Sequence, residues 1–228
     1  MILGVIPARL NSTRFPKKVT YKLNDKSIVQ HVYEQACKSK ILNKIIVAVD
    51  SDEIINSLEN PEVAIMTSVS HKSGTDRVAE VARKFDCEIV VNIQGDEPGI
   101  EPKIIDDLVS LFDDPNVEMA SVASRELEPE DLLNPNIVKV DLTKNNFAKS
   151  FLRTDLINSS KYYRHIGIYA FRKKTLDRFT KMKPSKNELS KSLEQLRALD
   201  NNIAIKLLIC DFKHSSIDTV EDLKSYEK

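Results

Sequence analysis

The chain of 228 residues has no tryptophan, only 5 glycines, only 3 cysteines and no net charge. Average usage of about 7% would give roughly 16 glycines at this length, so each glycine present marks a position worth locating. The balance of 34 basic against 34 acidic residues leaves no overall field to draw the molecule to nucleic acid or to an anionic membrane surface. Any anionic substrate must be met by cations gathered locally. Cys37, Cys87 and Cys210 are odd in number and far apart, with no spacing that builds a zinc site, and read as reduced thiols. Long apolar runs are also missing. The opening MILGVIPARL is apolar for only about six residues before Arg9, too short for a secretory signal core or a membrane span. A cytoplasmic protein with no nucleic acid partner and no membrane insertion is expected. Neither GxGxxG nor GxxxxGK[ST] occurs, which removes most support for dinucleotide chemistry and for a P-loop ATPase.

What is present describes a folded α/β protein. Hydrophobic residues make up 41% and charged residues 30%, the composition of a globular chain. Segments 2–7, 45–49 and 88–93 are short apolar runs without a 3.6-residue period, the pattern of strands buried on both faces of a parallel sheet. Between them, Ser27 and Gln30 offer a capping box ahead of a stripe of Ile28, Val29, Val32 and Ala36. Segment 75–85 reads as a helix with Val78, Ala79, Val81 and Ala82 inward, 52–58 as a short helix and 62–66 as a strand. This alternation predicts an α/β fold with a doubly wound, mostly parallel sheet. In the second half 119–124, 137–142, 147–152, 166–171 and 203–209 read as strands and 188–199 as one helix. Thr219 caps a closing helix over 219–226. No repeat or flexible linker divides the chain, so one domain over 1–228 is expected, with a strand-rich elaboration at roughly 120–170.

Ligands on such sheets bind beyond the carboxyl ends of the strands, where loops 8–18 and 94–99 lie. The first carries Arg9, Arg14, Lys17 and Lys18. Four cations among free backbone amides suit a triphosphate, although a solvated basic loop has the same composition. In Gln94-Gly95-Asp96-Glu97-Pro98, Asp96 is placed to hold a hard divalent ion, with Gly95 permitting close backbone approach; a plain turn reads the same way. Asp218, just before Thr219, alone reads as part of a helix start. Ser73-Gly74-Thr75-Asp76-Arg77 opens a helix and Arg164-His165-Ile166-Gly167-Ile168-Tyr169 opens a strand. There His165 and Tyr169, four residues apart, share a sheet face, and His165 is equally readable as a strand-end histidine.

Taken in order, these segments and several more resemble one family nearly end to end. The further carriers are Ile6-Pro7-Ala8-Arg9 with Ser12-Thr13-Arg14-Phe15-Pro16, Ile46-Val47-Ala48-Val49-Asp50, Asn134-Pro135-Asn136 with Val138-Lys139, Phe151 with Arg153, Leu193-Glu194-Gln195-Leu196-Arg197, and Ile217-Asp218-Thr219. The family is 3-deoxy-manno-octulosonate (Kdo) cytidylyltransferase, or CMP-Kdo synthetase, within the glycosyltransferase-A-like nucleotidyltransferases. The resemblance implies an enzyme that couples CTP to an octulosonate sugar acid, releasing pyrophosphate, for lipopolysaccharide or another surface glycan. Arg9 and Lys18 would hold the CTP phosphates with Arg14 assisting, and Ser73, Thr75, Arg77 and Gln94 would lie around the cytidine or the substrate junction. Asp96 and Asp218 would ligate Mg²⁺ and share the catalytic role with Arg9 and Lys18. Arg153, His165, Tyr169, Glu194 and Gln195 would line the sugar pocket, an arginine fork being suited to a carboxylate. The resemblance also implies a homodimer through the strand-rich second half. Three departures stand out, one being Lys186-Asn187-Glu188 in place of a Pro-Leu-Glu segment. Lys17 occupies the place of a phosphate-loop glycine, and Leu152 replaces the serine of a Phe-Ser-Arg segment. An 8-amino octulosonate, another acidic sugar such as a nonulosonate, and a CTP-binding descendant without turnover therefore stay open beside Kdo itself.

Overall fold

The computed structural model describes residues 1–11, 15–154, 161–212, 217, 219, 222, 223 and 226. Arg14, Asp218 and most of the closing helix expected over 219–226 lie outside these. The chain falls into two compact units, Met1–Asp106 with Ser215–Lys228, and Asp107–His214.

In the first unit, strand β1 (Ile2–Pro7) is followed by a small hairpin of β2 (Lys22–Leu23) and β3 (Lys26–Ser27), helix α1 (Ile28–Ala36), β4 (Lys44–Val49), α2 (Asp52–Ile55), β5 (Ala64–Met66), α3 (Gly74–Ala82) and β6 (Ile89–Asn92). The sheet runs β6-β1-β4-β5 and every pair is parallel. Leu3, Val5, Val47, Val90 and Val91 are fully buried, as continuous apolar runs in a covered parallel sheet must be. The β2-β3 turn takes Asn24 and Asp25 with φ of 49° and 67°, the left-handed pair that a tight hairpin requires. Ser27 caps α1 by accepting the Gln30 N–H. The Gln30 side chain does not close the expected box: its Nε2 donates to Glu34 and its Oε1 accepts the Glu59 N–H. The expected strand over 62–66 is shorter, because Asn60 caps a 3-10 turn at Pro61–Val63, where proline's fixed φ favours a helical start. Phe15, Leu23 and Ile28 form a separate core with Ile217 and Leu223, against which Tyr226 packs.

Helix α4 (Pro102–Ser110) carries the chain into the second unit, which contains β7 (Met119–Ser124), β8 (Lys139–Leu142), β9 (Ala148–Leu152), β10 (Tyr163–Arg172), α5 (Lys173–Lys181), α6 (Lys186–Lys191), α7 (Leu196–Asp200) and β11 (Ile205–Cys210). β11 lies parallel to β7, whereas β10 is antiparallel to β7 and β8, and β9 is antiparallel to β8. α4 and α5 are additions to the elements expected from the sequence. The single helix expected over 188–199 is in fact two. Ser185 and Glu188 form a reciprocal capping box that starts α6, and Ser192 ends it with φ of 52°, a left-handed stop that no helix can continue through. Among the described residues no helix is long and apolar enough to cross a membrane. Cys37 is exposed, Cys87 buried and Cys210 half-buried, and none of the three is in a disulfide.

Candidate active site

The basic loop is braced from behind. After β1, the Ala8 N–H donates to Ala48 O at 2.8 Å and the Leu10 N–H to Asp50 Oδ1 at 3.0 Å. The other oxygen of Asp50 accepts from Arg77 Nη2 at 2.9 Å, while Arg77 Nη1 donates to Thr67 Oγ1. Arg77 is only 3% exposed. Burial pulls its guanidinium below the ordinary value, against the pull of Asp50 and Glu80. Arg77 thus holds the carboxylate that holds the loop. From the side, a Cβ on Gly95 would stand 2.8 Å from Pro7 O, so only glycine lets the loop after β6 approach the end of β1 this closely.

That approach brings Lys18 Nζ to Asp96 Oδ2 at 2.6 Å. The lysine side chain is 8% exposed and the aspartate 28%, so a largely desolvated cation sits beside a carboxylate that still reaches solvent. Among the described residues Asp96 engages only Lys18 through its side chain. Arg9 is exposed at the head of the loop. Lys17 adopts φ 56°, ψ 25°, the left-handed conformation a glycine takes without cost, and its Nζ pairs with Glu53 at 2.8 Å. The loop keeps a glycine-like backbone with a lysine in it. Ser73 caps α3 by accepting the Asp76 N–H at 3.1 Å, Thr75 is buried in the first turn, and Gln94 is half-buried just after β6.

In the second unit Arg153 and Lys139 are committed to the backbone. Arg153 donates through Nη1 to Pro135 O at 2.7 Å, and through Nε and Nη2 to Lys191 O and Ser192 O, both at 3.4 Å. The last two are terminal carbonyls of α6, which lack partners within the helix. Lys139 is fully buried and spends its three N–H groups on Asp131 O, Asn134 O and Ile137 O at 3.2, 2.9 and 2.9 Å. Burial lowers its pKa and Asp131 opposes this. Arg164 pairs with Asp131. His165, 8% exposed, meets the ring of Phe151 edge-on at 4.9 Å and that of Tyr169 at 5.5 Å. Its Nε2 lies 2.9 Å from Ser121 Oγ. Arg197 grips Glu188 with two nitrogens and lies 3.7 Å from Glu194, and Gln195 is buried at the start of α7.

Of the residues expected at the site, Lys18 and Asp96 are brought into contact, and His165 and Tyr169 share a face. Arg77 and Arg153 are engaged with other parts of the protein. Asp50, Ser121, Lys139 and the Glu188–Arg197 pair received no role from the sequence. Asp50 stands directly after a buried strand, as Asp96 nearly does, and that position was the available signal.

Residues 3–207 match the family model described as cytidylyltransferase. A 3-deoxy-manno-octulosonate cytidylyltransferase of Thermodesulfovibrio yellowstonii is 41% identical, covering 98% of this chain and 96% of that protein. One of Chloroherpeton thalassium is 42% identical over 96% and 93%. Among solved structures, a CMP:2-keto-3-deoxy-manno-octonic acid synthetase complexed with CTP superposes with a TM-score of 0.91 at 31% identity, covering 99% of this chain and 96% of that one. The charged pair at the head of a parallel α/β sheet and these whole-length matches lead to one assignment: the chain belongs to the 3-deoxy-manno-octulosonate cytidylyltransferase family of nucleotidyltransferases.

Proposed function

We propose that the protein transfers CMP from CTP to the anomeric hydroxyl of 3-deoxy-manno-octulosonate and releases pyrophosphate, in a Mg²⁺-dependent reaction of the cytoplasm that supplies lipopolysaccharide or another surface glycan. The observation that carries this reading is the Lys18–Asp96 pair at 2.6 Å, a cation of the kind that suits phosphate beside a carboxylate of the kind that suits a hard metal ion. Arg9, Lys18 and Arg14 hold the triphosphate, and Thr75, Gln94 and Ser73 surround the cytidine. Arg77 serves the same end through Asp50, which fixes the Leu10 N–H at the loop's edge. His165, Tyr169, Glu194 and Gln195 read the sugar acid, and Arg153 shapes that region by joining Pro135 to the end of α6. The proposal extends to a homodimer formed through the second unit, where Leu133 and Leu189 are exposed.

The chemistry asks the protein for alignment and charge neutralisation rather than a covalent nucleophile. The attacking hydroxyl must lie in line with the leaving pyrophosphate. A buried ammonium such as Lys18 stabilises negative charge on phosphate more strongly than an exposed one, because less water screens it. Asp96, together with Asp218, is the residue to hold Mg²⁺; its half-exposed carboxylate is a hard oxygen donor of the kind that ion takes beside substrate phosphates. When bound, the ion supplies charge neutralisation and a lowered pKa for the sugar hydroxyl.

Incubation with CTP, Mg²⁺ and Kdo should release pyrophosphate. A panel adding 8-amino-Kdo and a nonulosonate defines the acceptor. Silence with every octulosonate overturns the reading, and tight CTP binding without product would indicate a binding protein instead.

A further inference from the structure

β10 does not follow β7 evenly. Ile166 pairs with Val122, but the next partner, Ser121, is met by Tyr169, so Gly167 and Ile168 are extra. Two extra residues preserve the alternation of side chains, and His165 and Tyr169 remain on one face. Such a bulge interrupts the ladder and leaves backbone groups to be satisfied by other means. Ser121, with no exposed surface, supplies the means: its Oγ lies 2.8 Å from Ile168 O and 3.3 Å from Ile166 O, as well as 2.9 Å from His165 Nε2.

A hydroxyl has one proton to donate and two lone pairs to offer. Carbonyl oxygens only accept. The Ser121 proton therefore goes to the bulge carbonyls, chiefly Ile168 O, and the contact with the ring runs the other way, from His165 Nε2–H to Ser121 Oγ. We infer that Ser121 is a positioning residue that fixes His165 as the Nε2–H tautomer. The neutral ring then carries its lone pair on Nδ1, which can only accept a hydrogen bond. The opposite tautomer would present an N–H at that atom and favour a carboxylate. Ser121 thus makes the imidazole a reader of sugar hydroxyls, a consequence that rests on the proposed sugar-side role of His165.

The wild-type protein labelled with ¹⁵N-histidine tests the assignment directly by long-range ¹H–¹⁵N NMR, with His165→Asn identifying the signal. His165 should be protonated at Nε2 and bare at Nδ1; protonation at Nδ1 in the neutral ring overturns the inference. Ser121→Ala should mix or reverse the tautomer and raise KM for the sugar acid by about tenfold, leaving KM for CTP unchanged. An unchanged sugar KM in that variant refutes the positioning role even if the tautomer is as assigned. If His165→Asn also leaves the sugar KM unchanged, the sugar-side reading of His165 fails while the tautomer assignment stands.

Discussion

In the first unit Arg9, Lys18 and Asp96 stand where parallel strands hand over to loops, Lys18 and Asp96 paired with each other, and Arg77 holds the frame through Asp50. In the second, Lys139, Arg153 and Arg164 are all engaged with backbone carbonyls or with Asp131, and the ring of His165 is wedged between Phe151 and Tyr169. On the proposed roles, a polyanion is met by cations whose partners belong to the same site, whereas a polyhydroxylated acid is met by polar groups of fixed direction, and holding a direction consumes charges as structural ties. Substitutions at the functional positions of the first unit should therefore remove activity with little loss of stability. In the second unit the two should fall together.

The sharpest test of that contrast is Asp96→Asn. On the proposed metal-holding role of Asp96, several kcal/mol of transition-state stabilisation depend on this carboxylate, so turnover should fall by about three orders of magnitude while the thermal midpoint stays close to wild type. A large drop in the midpoint would erase the distinction. Next comes Arg197→Met, which strands the buried Glu188 that Arg197 now grips. Urea unfolding should show a loss of about 3 kcal/mol or more; a cost within experimental error would mean that the ties of the second unit are ornamental. Asp131 gives a smaller effect with a definite pH dependence. Burial raises its pKa, but the hydrogen bonds from Arg164 and the Glu128 N–H outweigh this and hold it below the ordinary value. Because the folded value is the lower one, the stabilisation is fully present above the unfolded pKa near 3.9 and is lost as pH falls through the folded value. The stability gap between wild type and Asp131→Asn, about 1–2 kcal/mol at pH 7, should close in acid; a gap that persists at pH 2 would assign it to packing. The smallest effect is expected at Lys17→Gly. Relief of a left-handed lysine gains about 1 kcal/mol, offset by an exposed ion pair with Glu53 worth up to about 1 kcal/mol. Stability should thus rise slightly or stay level, and a clear loss would show that the lysine contributes more than its backbone costs.

The parallel strands were legible because runs such as Leu3 to Ile6 and Ile89 to Val91 are apolar without helical period, and the loops that follow them were legible because this sheet type places ligands there. The ties of the second unit were not. Lys139 lies in the strand expected over 137–142, and nothing in that pattern announces the three carbonyls that the fold gathers around it. The break at Ser192 reflects a tertiary partner, since Arg153 satisfies the carbonyls that a continuous helix would have used. Ser121 is silent in the sequence because its work arises from a register jump, and register is a property of two strands at once. Glycine scarcity proved a good guide to close approaches, as at Gly95, although no glycine has positive φ; the left-handed positions went to Lys17, Asn24, Asp25, Asn146, Ser192 and Asn202.

The small core of Phe15, Leu23 and Ile28 is completed by Ile217 and Leu223, and this sets a clock. The first unit is interrupted in the chain by the whole of the second, so its closing residues emerge about 110 positions after Asp106. At about 5–20 residues per second of synthesis, the segment carrying the basic loop waits roughly 5–20 s with an apolar face uncovered. During that interval the second unit has everything it needs to fold and the first does not, which makes the segment around the basic loop the last to mature and the first to need protection from aggregation.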